Sequence, residues 1–125
     1  MRNDIVCDLI ELYGFLGKKW TVALFHNITD EPVSFNELER LTKGLISPIL
    51  LSSRLKKMID FKLIDKKMID GRPVYQITSE GKKLKDIMHN IKDWAIECNY
   101  DLPDICKKKK CFCDYVFDVS KRNFK

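Results

Sequence analysis

Between Ser34 and Thr78 the residues that start and stop secondary structure come in one order, and that order leaves few folds open to the chain. Phe35, Leu38 and Leu41 recur at helical spacing, with Ser34 placed to cap the first turn and Glu37 three residues on to complete a capping box. Lys43-Gly44 ends the run, because glycine takes the left-handed conformation that closes a helix. Ser47-Pro48 opens a second helix with a capping hydroxyl and a proline at the first helical position. Leu51, Arg54, Leu55, Met58 and Ile59 share one side of it, and Ser47, Ser52, Ser53, Lys56 and Lys57 fall largely on the other. After Phe61 the period turns to alternation, Leu63 to Ile69 and Val74 to Thr78, around Asp70-Gly71, a strong hairpin signal. Arg72 is expected to project from the tip, and Pro73 to lie at an edge or just ahead of the second strand. Helix, turn, helix and hairpin in this order predict an α+β, mostly helical winged helix-turn-helix that could enter a DNA groove.

The distribution of charge agrees. The net charge is +5, but residues 43–85 hold eleven basic and four acidic side chains, against four and seven before them and eight and seven after. A solvated lysine-rich surface would also be basic; here the excess falls on the second helix, the hairpin and the turn after it, where phosphates would be met. Double-stranded DNA is therefore the expected partner. A chain of 125 residues, 45% hydrophobic, suits one domain with a modest core. No apolar run approaches the ~20 residues that cross a bilayer, and acidic groups stand where a secretory signal would be basic then apolar. A cytoplasmic protein with no membrane partner is expected.

Two further apolar runs flank the reading unit. Ile5, Leu9, Leu12, Tyr13 and Leu16 recur at helical spacing up to Gly17, and a second apolar helix is expected from Trp20 to Ile28. Beyond the hairpin, Leu84, Ile87, Met88, Ile91, Trp94, Ala95 and Cys98 form one long stripe. A small domain cannot cover a stripe of that length, so it and the N-terminal helix are expected to pair two copies into a homodimer; packing on its own domain is the alternative. Residues 1–100 are read as the winged unit with its dimerisation helices. Residues 101–125 are read as a cysteine- and lysine-rich tail, too apolar at its end for a free arm, packed on the domain or its dimer partner.

Four segments together resemble a known family: Gly17-Lys18-Lys19-Trp20-Thr21; Ser34-Phe35-Asn36-Glu37-Leu38; Ile46-Ser47-Pro48 with Leu51, Arg54 and Leu55; and Tyr75-Gln76-Ile77-Thr78-Ser79-Glu80-Gly81. In order and spacing they look like the successive signatures of the HxlR-type winged-helix regulators, related to the MarR group. The resemblance covers roughly residues 7 to 98 and implies a homodimeric, cytoplasmic prokaryotic transcription factor. It implies that Ser47, Pro48, Ser52, Ser53 and Lys56 lie on the recognition helix and Arg72 in the wing; Lys57 is added from its outward position. The chain departs from the pattern at Ile49, where members often carry a basic or polar residue, in its short wing, and beyond about residue 100.

Five cysteines remain to be placed. Cys7 resembles the sensing thiol of redox-responsive HxlR-type proteins, near the start of the first helix, where the dipole favours a reactive thiolate and Asp4 and Asp8 oppose it. An inert cysteine on the inward stripe is the plainer alternative. Cys98, Cys106, Cys111 and Cys113 fall within sixteen residues, with Lys107 to Lys110 between them. Redox or disulfide chemistry, a zinc ion or iron-sulfur cluster on four thiolates, and no chemistry at all stay open, in that order. An enzyme is disfavoured: the two histidines, His26 and His89, lie in apolar helices, and no Cys-x2-Cys or phosphate loop is present. A winged-helix protein-interaction module fits poorly with the lysines of 43–85, since interface cores are depleted of lysine.

Overall fold

The computed structural model describes residues 7–42 and 44–102. Its elements are α1 (Asp8–Leu16), α2 (Thr21–His26), β1 (Val33–Ser34), α3 (Phe35–Thr42), α4 (Pro48–Asp60), β2 (Ile64–Ile69), β3 (Arg72–Ile77) and α5 (Ser79–Glu97). The strands form one antiparallel sheet of order β1-β3-β2. This is the α+β winged helix-turn-helix expected. Ile5 and the tail from 103 onward, with Cys106, Cys111 and Cys113, lie outside the described residues.

The predicted punctuation acts as written. Ser34 Oγ accepts from Glu37 N at 3.0 Å while Glu37 Oε1 accepts from Ser34 N at 2.9 Å, the reciprocal capping box that starts α3. The main-chain N–H of Ser34 first, and then its hydroxyl, favour the charged Glu37 carboxylate and hold it below its ordinary range, with Arg40 adding to the effect. Ser47 caps α4 by accepting from Leu50 N at 3.1 Å, with Pro48 behind it. At the far end Lys62 takes a left-handed φ of 63°, Leu63 N donates to Met58 O and Lys62 N to Ile59 O. That is a Schellman closure built without glycine.

One core binds these pieces. Phe25, Ile28, Leu38, Leu51, Leu55, Met58 and Ile64 are fully buried together, and Phe15 of α1 stacks on Phe61 at 5.6 Å. Burying each such side chain contributes roughly 1.5–3 kcal/mol relative to leaving it in water. The ammonium of Lys85 on α5 donates to Ile28 O at 2.7 Å and lies 5.5 Å from the Phe25 ring centre, tying α5 to the end of α2.

Four expectations need correction. Trp20 does not begin the second helix: it caps α2 in the left-handed region at φ 73°, because the chain reverses after Gly17 and Lys18 O accepts from Thr21 N. The helix also stops at His26, leaving Ile28 buried in the following segment. Pro73 lies inside β3, the central strand. In a two-residue hairpin Ile69 and Arg72 form the hydrogen-bonded pair and Met68 and Pro73 the open one, so the missing N–H points to the side where β1 has already ended at Val74. Finally, β2 does not alternate between core and solvent: only Ile64 is buried, and Met68 and Ile69 are exposed because the hairpin runs beyond the body.

Candidate nucleic-acid interface

The second helix of the pair, α4, has two sides that do different work. Leu51, Leu55 and Met58 are buried against the core. Ile49, Ser52, Ser53 and Lys56, spaced at three, four and seven residues, form one exposed outward stripe. Ser47 and Pro48 stand exposed at its head. A rigid, capped helix thus presents two hydroxyls, one ammonium and one isoleucine on a single line. Lys57 is also exposed, but it lies off this stripe with its ammonium 5.6 Å from the Phe61 ring centre.

Beside the helix stands the hairpin. Asp70 and Gly71 both have positive φ, 52° and 74°, the backbone of a type I′ turn whose twist matches that of the flanking strands. Arg72 is exposed, the first residue of β3 rather than the tip itself, and with Ser34, Phe35, Asn36 and Pro73 it lines a cleft of about 190 Å³. The wing therefore brings its arginine to the amino end of α3. A second cleft, about 250 Å³, is lined by Ser52, Leu55, Lys56 and Ile59 of α4 and by Lys66 and Tyr75 of the sheet. Burial raises the Tyr75 hydroxyl above its ordinary range. That Lys66 and Lys56 line one cleft between α4 and β2 was missed in the sequence, because it depends on how the strand packs beside the helix rather than on any local pattern.

The thiols sit apart from this surface in the chain. Cys7 caps α1 in an extended conformation without a side-chain capping bond, and it is exposed rather than on an inward stripe. Cys98 caps the far end of α5 and is exposed too. No group of three or more His, Cys, Asp or Glu that could hold a metal occurs among the described residues. The two histidines meet edge to face, ring centres 5.9 Å apart, where α2 packs on α5.

Helix α5 is joined to the reading unit at one close contact. Thr78 N donates to Leu63 O, the Thr78 hydroxyl donates to Lys62 O at 2.7 Å with Leu63 O also in reach at 3.0 Å, and Thr78 Oγ1 accepts from Gly81 N at 2.9 Å. A Cβ on Gly81 would stand 2.2 Å from Leu63 O and 2.7 Å from Ile77 Cγ1, so only glycine fits there. The Thr-Ser-Glu-Gly signature is thus a docking requirement as well as a helix start.

A capped outward-facing helix beside a basic two-stranded wing defines a winged helix-turn-helix protein. Residues 15–101 match the family model described as HxlR-like helix-turn-helix, and the chain belongs to that family of transcriptional regulators. It is similar to the HTH-type transcriptional regulator YodB of Bacillus subtilis, 25% identical over 113 residues that cover 88% of this chain and 100% of the relative. The structure of reduced YodB superposes with a TM-score of 0.64 at 23% identity, covering 77% of this chain and 97% of that one. A Porphyromonas gingivalis W83 protein assigned to the MarR family gives 0.59 at 27%, covering 78% and 97%. The oxidised form of the redox regulator HypR gives 0.59 at 24%, covering 77% and 100%. No helix among the described residues is long and apolar enough to cross a membrane.

Proposed function

We propose that this protein is a homodimeric transcriptional regulator that binds specific DNA sequences and whose affinity answers to the thiol state of Cys7. The observation that carries the reading is the outward stripe of α4 set beside the lysines and arginine of the wing. Ser47, Pro48, Ser52, Ser53 and Lys56 enter the major groove, where hydroxyls bond base edges and the ammonium meets guanine or phosphate. Arg72 reaches the flanking minor groove, Lys66 a phosphate between helix and wing, and Lys57 the backbone beyond.

Pairing is supported by what the single chain leaves uncovered. Leu9, Ile10 and Tyr13 of α1 and Ile87, Ile91 and Trp94 of α5 are all exposed, and exposed apolar surface on this scale marks an interface. Two copies related by a two-fold axis would set their α4 helices in successive major grooves about 34 Å apart. YodB has been solved in reduced, diamide-treated and quinone-bound forms, and HypR in reduced and oxidised forms. Cys7, exposed at the head of α1, sits where a covalent change would disturb the pairing helices and hence the spacing of the reading heads.

Selection from a random duplex pool, followed by gel-shift titration of the reduced protein over a range of salt, tests the DNA reading. Enrichment of a two-fold-related site and affinity falling with salt are expected; neither appearing sinks it. Diamide takes up the two electrons and two protons that a pair of thiols releases on forming a disulfide. It should change the affinity of the wild type and leave Cys7→Ser unchanged. An equal response in both proteins removes the thiol switch and leaves the DNA reading standing.

A further inference from the structure

One residue on the outward stripe of α4 has no polar atom in its side chain. Ile49 is 83% exposed, more than any other large apolar residue among those described. Single exposed apolar residues are ordinary on surfaces, so exposure alone says nothing. Its position is informative. Ile49 stands one turn ahead of Ser52 and Ser53 and two turns ahead of Lys56 on the same line, while Leu51, Leu55 and Met58 on the opposite side carry the packing. The fold does not need an isoleucine there. The Ser47 cap and Pro48 fix the backbone beneath it, and a β-branched side chain in a helix holds essentially one χ1 rotamer. The apolar group is thus presented rigidly, at little entropic cost on contact.

We propose that Ile49 is a specificity-determining residue that packs on the C5-methyl group of a thymine in the major groove. The inference rests on the DNA reading proposed above. Among the base edges of that groove the thymine methyl is the apolar feature; the remaining atoms that distinguish the pairs are donors and acceptors. A side chain without donor or acceptor, set against guanine O6 and N7 or cytosine N4, would strip water from those groups and return no bond. Against thymine it removes two apolar surfaces from water at once. Ser52 and Ser53, one turn on, then bond the edges of neighbouring bases, so a single turn of α4 reads a methyl and adjacent polar edges.

The test uses the full-length reduced protein and a site selected from a random duplex pool. Each thymine of that site is replaced in turn by deoxyuridine, which removes only the C5-methyl. One thymine in each half-site should respond, the uracil duplex binding about 4-fold more weakly per half-site, the loss expected for one methyl taken out of contact. Ile49→Ala should bind the thymine and uracil duplexes equally, and Ile49→Val, which keeps the branched methyls, should retain the discrimination. Equal binding of thymine and uracil by the wild type at every position overturns the proposal and leaves DNA reading intact. So does a uracil penalty that persists undiminished in Ile49→Ala. A pool with no enrichment overturns both.

Discussion

Helices α4 and α5 carry the same kind of apolar stripe and meet opposite fates. The stripe of α4 disappears into the domain: Leu51, Leu55 and Met58 keep almost no contact with water. That of α5 does not, with Ile87 53%, Ile91 56% and Trp94 51% exposed, although Leu84 and Met88 pack against the core. Amphipathic spacing shows that a helix has something to cover; the difference between these two shows that it does not say with what. In α4 the covering is intramolecular and sets stability. In α5 it is only begun: Ile87, Ile91 and Trp94 stay open to water in the single chain, where the proposed pairing would cover them.

If this contrast is right, substitutions in the two helices should be read by different measurements. Leu55→Ala should lower the unfolding free energy by about 2–5 kcal/mol in a denaturant titration, the range for a leucine removed from a packed interior. A loss under about 1 kcal/mol would show the α4 seam to be loosely packed and break the comparison. Gly81→Ala, at the joint between the two, should cost about 1–3 kcal/mol through overpacking against Leu63 O, with the same titration as its check. Ile91→Asp should leave thermal unfolding of the monomer nearly unchanged yet weaken self-association at least ~10-fold by sedimentation, about 1.4 kcal/mol. Unfolding without a change in association would place the α5 stripe in the monomer core instead.

The smallest effect concerns pH. Because the folded state holds the Glu37 carboxyl low, its contribution is present above the ordinary carboxylate range and is lost as pH falls through the depressed folded value. Glu37→Gln keeps the capping box but not the titration, so its melting temperature should fall less steeply than the wild type's below about pH 4. Parallel acid profiles would mean that the Ser34 bonds do not discriminate between charged and neutral forms.

What the sequence disclosed was chemistry completed within four residues. Ser34 with Glu37, Ser47 with Pro48, and Asp70 with Gly71 each settle a boundary locally, and all three stand where expected. What escaped depended on distant partners. Strand β1 is two residues long and exists only through Tyr75 and Val74; Pro73 is tolerated in β3 only because β1 ends where it does. The left-handed Trp20 answers to the reversal of the chain after Gly17, closed by Thr21 N on Lys18 O. The polar members of the outward stripe were legible, Ile49 stood out only as a departure from the family pattern, and Lys66 was missed because its neighbour Lys56 lies on another element.

The Thr78 joint has a mechanical meaning. Leu63 N donates to Met58 O of α4, Thr78 N donates to Leu63 O, and Thr78 Oγ1 accepts from Gly81 N of α5, so three hydrogen bonds in series link the last turn of α4 to the first of α5 through Leu63 and Thr78. A shift of α5 is therefore coupled, through these bonds and the close approach of Gly81 to Leu63 O, to the end of α4.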